Sequence, residues 1–196
     1  SIGPLIASYR PDICPPVEQA SKIYEEKVES IAPKVDLLLV ETVCSLKQAK
    51  GVLAATDKSN KPVWISFSVD DVDGTKLRSG EKLEDVEAVI NNHLVEAVLI
   101  NCSPPEVVDN ALSILSKMGK AFGAYANGFS KISSEFLKTR PTVDALTARN
   151  DLGPEEYSNF VTNWIRNGAS IVGGCCEIGP TPVSYTHLTL PTNCVV

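Results

Sequence analysis

The sequence lacks several features that would each have named a function class. No stretch reaches the roughly 18 uninterrupted apolar residues of a membrane-spanning helix, so no membrane partner is expected. The chain has no excess of basic residues: Lys and Arg number 18 against 24 Asp and Glu, for a net charge of -6, and the cations are scattered. That distribution argues against nucleic acid as a partner. No Gly-x-Gly-x-x-Gly turn follows any apolar run, which weakens a dinucleotide-binding reading. Internal repeats and low-complexity segments are also missing; the sequence starts at Ser1 rather than Met, and no signal peptide is visible within it.

What is present is ordinary in bulk. The 196 residues suffice for one domain with a core, and 43% hydrophobic and 21% charged residues suit a globular protein. The six cysteines, Cys14, Cys44, Cys102, Cys175, Cys176 and Cys194, inform through placement. They do not form the framework of a small disulfide-stapled domain, and the adjacent Cys175 and Cys176 are poorly placed to pair with each other. Reduced thiols in a cytoplasmic protein, used for metal binding or catalysis, are the expectation.

Short apolar runs alternate with amphipathic segments. Strands are expected at 36–41, 62–69, 97–101, 121–125 and 169–173, and helices at 46–56, 83–93, from Pro104-Pro105 to about 117, and from Pro154 to Asn167-Gly168. Strand–helix alternation with strands apolar on both faces implies a parallel sheet. A doubly wound sheet and a (β/α)8 barrel compete. Polar residues gather at the strand ends (Glu41, Ser68, Asn101-Cys102, Asn127, Cys175-Cys176), the positions that converge at the mouth of a barrel. About five β/α units can be read, so the expected fold is an incomplete (β/α)8 TIM barrel whose first strands are missing.

Asn101-Cys102 follows one strand and Gly173-Gly174-Cys175-Cys176 follows another. Neighbouring side chains on a strand point apart, and the two glycines are expected to let the backbone turn so that both thiols reach one ion. Three protein ligands leave a tetrahedral Zn2+ one open position, as in catalytic rather than structural sites. Three thiolates make that ion a poor Lewis acid for water but leave it able to hold an incoming thiol as a nucleophilic thiolate. Such a site suits alkylation of a thiol better than hydrolysis. The bland alternative is three small core cysteines.

These motifs resemble the two zinc-ligand motifs of the homocysteine S-methyltransferase family. Ser1-Ile2-Gly3-Pro4 is similar to that family's third-strand exit, Glu41-Thr42 to its fourth, and Trp64-Ile65-Ser66-Phe67 and Tyr125-x-Asn127 to its fifth and seventh strands. The resemblance covers Ser1 to about Pro182. It implies Cys102, Cys175 and Cys176 as zinc ligands, Glu41 on the homocysteine ammonium, and Asn127 and Ser66 as further substrate-side residues. The implied reaction passes a methyl group from an activated donor, S-methylmethionine or S-adenosylmethionine first among the candidates, to homocysteine, forming methionine. Two departures stand out: the family's opening segment is absent, and its Pro-x-His continuation after the paired cysteines is replaced.

From the residues alone Asn127 reads equally as a turn asparagine. Ser66 and Ser68 share a strand face and either point toward the site or fill core slots. Cys44 reads as packing at a helix start, His93 as a helix-end base, and Asp70, Asp71 and Asp73 as a solvated turn without the glutamate a calcium loop needs. Residues 1–183 are expected to form a partial homocysteine-binding barrel domain and 184–196, which continue no earlier pattern, a non-native tail. A non-catalytic metal-binding or redox thiol module, or an inactive barrel fragment, are the alternatives to an enzyme acting on small molecules.

Overall fold

A computed structural model describes residues 1–133, 135–138 and 146–188, the side chains of 186–188 excepted. The apolar runs become five strands: β1 (Leu38–Val43), β2 (Val63–Phe67), β3 (Val95–Asn101), β4 (Ala121–Tyr125) and β5 (Ile171–Val172). All neighbours are parallel, and their spatial order equals their chain order. A doubly wound sheet must reverse that order at a switch point, whereas an arc of a barrel need not. Ile2 extends the series by one position, donating its N–H to Leu39 (2.7 Å) and accepting from that of Glu41 (3.0 Å).

The helices are α1 (Val17–Ile31), α2 (Leu46–Thr56), α3 (Val86–Ile90), α4 (Pro105–Leu115), α5 (Pro154–Arg166) and α6 (Pro180–Leu188). Contacts join α1 to α2, α2 to α3, α4 to α5 and α5 to α6, which makes them one layer in chain order. One layer of helices outside an ordered parallel sheet is the barrel arrangement, as expected from the strand ends. Alternation along the strands divides two environments. Val40, Ile65, Phe67, Val98, Ile100 and Ala124 face the helices and belong to the main core. The other face aligns Ser66, Leu99, Gly123 and Ile171 in one row, and Asn101 opposite Tyr125 in another. That face holds the polar side chains.

Several boundaries differ from the sequence reading. α1 was not foreseen, although Ala20, Tyr24 and Val28, at i, i+4 and i+8, are its buried stripe. The helix expected over 83–93 is a 3-10 turn, Leu83–Asp85, followed by only five α-helical residues. β1 does not stop at Glu41 but continues to Val43, through a register shift between Val40 and Val43. β5 has two residues rather than five. α6 runs across residue 184. Cys194 and most of the expected tail lie outside the described residues. No described helix is long and apolar enough to cross a membrane.

Candidate metal centre

The strands deliver their exits to one end of the sheet, and there the three predicted thiols meet. The Sγ atoms of Cys102, Cys175 and Cys176 all lie within 4.8 Å of one another, and those of Cys175 and Cys176 are 4.0 Å apart. A tetrahedral ion with metal–sulfur bonds of about 2.3 Å requires sulfur pairs roughly 3.8 Å apart, so the triad needs to close by less than about 1 Å. The Asp70–Asp73 loop forms no comparable cluster; among the described residues the thiol triad is the one group of three that meets metal-ligand spacing.

Backbone geometry aims the thiols. Cys102 takes φ 50°, a left-handed conformation that costs a non-glycine residue about 1 kcal/mol or more. It is 5% exposed and sits against Tyr9 and Cys44. Neither Gly173 nor Gly174 adopts a positive φ; the left-handed residue of the turn is Glu177, at φ 63°. The carbonyl of Cys175 accepts from Ile178 N–H (3.0 Å), closing a tight turn around the pair. Gly174 is required for another reason: a Cβ there would lie 2.5 Å from Ile178 Cγ2 and 2.8 Å from its carbonyl oxygen. The loop is also pinned from outside. Cys175 N–H donates to Ala126 (3.0 Å), Cys176 accepts from Gly128 N–H (2.8 Å), and the buried Tyr157 hydroxyl donates to Gly173 (2.6 Å) while accepting from Ala126 N–H (3.1 Å).

The thiols share their protons. Cys176 is held far below the usual thiol range, at about 3, because Cys102 and then Cys175 donate to it. On Cys102 the contact with Cys175 acts downward, but the contact with Cys176 and burial outweigh it and push the group up to about 11. Cys175 is raised by its contacts with Cys102 and Cys176 and by burial. One sulfur is thus ready to be a thiolate at neutral pH, and a cation would replace the protons on the other two.

The triad forms part of the wall of a cavity of about 480 Å³, lined also by Tyr9, Glu41, Thr42, Asn101, Phe129 and Phe136. Glu41 accepts from the Tyr125 hydroxyl (3.3 Å), whose proton is retained because burial raises it. Thr42, next along the chain, is left-handed at φ 60°. Its N–H donates to Asn101 Oδ1 (2.9 Å), its hydroxyl accepts from Asn101 Nδ2 (3.0 Å), and the buried Ser66 hydroxyl donates to the same Oδ1 (2.9 Å). Asn101 therefore holds the segment that presents Glu41. In the sequence Asn101 stands out as an amide closing an otherwise apolar strand, but nothing there names Thr42 and Ser66 as its partners.

The other predicted residues lie behind the wall. Ser66 reaches the site through Asn101, and Ser68 donates to the carbonyl of Cys102 (3.1 Å). Asn127 is buried and accepts from Phe129 N–H (3.3 Å). Cys44 packs at the start of α2, its thiol on the carbonyl of Thr42 (3.3 Å). His93 pairs with Asp57 far from the site (2.6 Å). Asp71, read as solvated, is instead ion-paired with Arg78 (2.5 Å). Neither Tyr9 nor Arg78 was picked out in the sequence.

Residues 1–187 match the family model described as Homocysteine S-methyltransferase. Homocysteine S-methyltransferase 1 of Arabidopsis thaliana is 31% identical over 153 residues, covering 76% of this chain and 44% of that protein. Selenocysteine methyltransferase of Astragalus bisulcatus is 28% identical over 184 residues, covering 90% and 51%. Among solved structures, the metallated form of the homocysteine methyltransferase MmuM from Escherichia coli superposes with a TM-score of 0.70 at 24% identity, covering 90% of this chain and 53% of that one. This likeness supports the barrel architecture. The chain spans about half the length of the curated relatives it matches.

Proposed function

The chain belongs to the homocysteine S-methyltransferase family, and we propose that it holds a zinc ion through Cys102, Cys175 and Cys176 and transfers a methyl group to homocysteine, forming methionine. The observation that carries this reading is the placement of three converging thiols and Glu41 in the wall of one cavity. Zinc held by three thiolates would keep an incoming thiol deprotonated at neutral pH without binding it so tightly as to quench it.

The chain's own side chains do the rest. Glu41, fixed by Tyr125 and by Asn101 through Thr42, offers a carboxylate to the substrate ammonium. Ser66 supports that arrangement through Asn101, and Asn127 supports it through the turn that presents Phe129. We assign the donor to the sulfonium class, S-methylmethionine or S-adenosylmethionine. Tyr9, Phe129 and Phe136 line the cavity, and aromatic faces both exclude water and attract a fixed positive charge. The exchange balances without a further reactant. The homocysteine sulfur's electron pair forms the new carbon–sulfur bond, the donor's carbon–sulfur bond breaks, and the donor leaves as a neutral thioether.

The test is methionine formation from homocysteine and S-methylmethionine by purified, zinc-supplied protein, with zinc content measured in parallel. About one zinc per chain and turnover that Cys102→Ser abolishes are expected. Folded protein that binds no zinc would refute the reading. Bound zinc that homocysteine does not perturb would instead favour a non-catalytic thiol module. Glu41→Gln is expected to raise KM for homocysteine by about 10-fold or more with a smaller change in kcat, as loss of a charged ground-state contact does.

A further inference from the structure

Arg78 touches three parts of the site, and the reaction proposed above does not use it. It lies in the loop after β2, and its side chain is only 10% exposed. Its Nε donates to Ser68 Oγ (2.7 Å), and its Nη2 donates both to the carbonyl of Cys102 (3.1 Å) and to Asp71 Oδ1 (2.5 Å). Ser68 Oγ itself donates to the carbonyl of Cys102 (3.1 Å), so that oxygen receives two donors organised by one guanidinium. The central carbon of the guanidinium, Cζ, lies over the Tyr9 ring, 4.8 Å from its centre, and that ring in turn meets Phe136 edge-on at 5.7 Å. Asp71, 17% exposed, accepts from Ile132 N–H with its second oxygen (2.8 Å).

We propose that Arg78, anchored by Asp71, is a positioning residue that fixes the Cys102 thiol for the metal; this rests on the metal-site reading above. Cys102 holds an unfavourable left-handed backbone, and a free peptide would relax by rotating its carbonyl. That rotation redirects the Cα–Cβ bond and moves Sγ away from Cys175 and Cys176. Two donors on the carbonyl oppose it. A lysine cannot reproduce this, since only the guanidinium fork reaches Ser68, Cys102 and Asp71 together while lying over Tyr9. An ion pair with a purely structural role would support folding but leave metal affinity unchanged.

The experiment measures Zn2+ affinity by competition with a chromophoric chelator for the wild-type protein, Arg78→Met, Arg78→Lys and Asp71→Asn, alongside denaturant unfolding of each metal-free form. The expected result is a loss of about 10–100-fold for Arg78→Met, the range typical of groups that orient metal ligands, with smaller losses for Arg78→Lys and Asp71→Asn. Co2+ spectra are expected to show weakened thiolate charge transfer in the same order. Arg78→Met protein that folds and binds Zn2+ within about twofold of wild type overturns the proposal. If Arg78→Met does not fold, the other two variants decide, and unchanged affinity in both overturns it. Wild-type protein that binds no Zn2+ removes the metal reading and this inference together, an outcome distinct from equal binding by wild type and variants.

Discussion

Replacing Asn101 by alanine tests how the strand ends are held. The amide makes three hydrogen bonds, to Thr42 N–H, the Thr42 hydroxyl and the Ser66 hydroxyl, at 2.9 to 3.0 Å. All three partners are buried: Thr42 is 6% exposed and Ser66 0%. Thr42 is left-handed and lies where the β1–β2 register shifts, and its N–H is held there by the Asn101 side chain. An orphaned buried donor costs about 1–3 kcal/mol, and Ser66 adds a smaller amount because a hydroxyl can rotate. The expected loss is about 2–4 kcal/mol, a large share of the roughly 5–15 kcal/mol that stabilises a domain. Urea unfolding of wild type, Asn101→Ala, Ser66→Ala and the double variant reads it directly. The double variant should be more stable than the sum of the singles implies, by about 1 kcal/mol, since it removes the orphaned hydroxyl with its partner. A loss below about 0.5 kcal/mol for Asn101→Ala, or strict additivity, would refute the reasoning.

Further predictions concern the cysteine loop. Tyr157→Phe removes the donor to Gly173 and the acceptor for Ala126 N–H; a loss of about 1–3 kcal/mol and weaker metal retention in dialysis are expected. Gly174→Ala forces a methyl against Ile178 and should lower the unfolding midpoint while abolishing metal binding, both readable by calorimetry with and without Zn2+. Metal affinity should rise with pH: Cys102 and Cys175 are both raised and must lose protons on binding, whereas Cys176, at about 3, is already a thiolate. Zn2+ titrations between about pH 6 and 9 should therefore release close to two protons per ion, and a pH-independent affinity would contradict the shared-proton arrangement.

The order of the five strands and of the helices α2 to α5 could be read from the sequence because each apolar run carries its own signal, whereas α1 and α6 were missed. Pro105 and Pro154 open helices, and left-handed Gly168 follows the last turn of α5. The choice of a barrel over a doubly wound sheet was legible only indirectly, through polar residues at strand ends, since strand order is a long-range property. The thiol triad was legible because cysteines clustered after strands are chemically specific. The supporting residues were not, for a physical reason. Arg78 and Asp71 are seven residues apart in what looks like an ordinary polar loop, and their burial comes from Tyr9 and Ile132, supplied by distant segments. Asn127 and Ser66 were identified as residues, but their side chains turn to Phe129 N–H and Asn101 rather than into the cavity.

The left-handed residues at the sheet's exit show why the site needs so much support. Tyr9, Thr42, Cys102 and Glu177 all have φ between 50° and 63°, all line the same cavity, and none is glycine. Each side chain is one the site uses or adjoins, so glycine, which would relieve the strain, would remove the chemistry as well. The backbone is instead held in place by partners: Asn101 on Thr42, Arg78 and Ser68 on the carbonyl of Cys102. Asn101 and Ser68 stand at the ends of neighbouring strands, which an ordered parallel sheet keeps in fixed register, and Arg78 reaches back to them from the loop after β2. Strained exits and a rigid arc thus belong to one arrangement: strand pairing below the site is what allows three thiols and a carboxylate to be held at angles that the local chain would not choose.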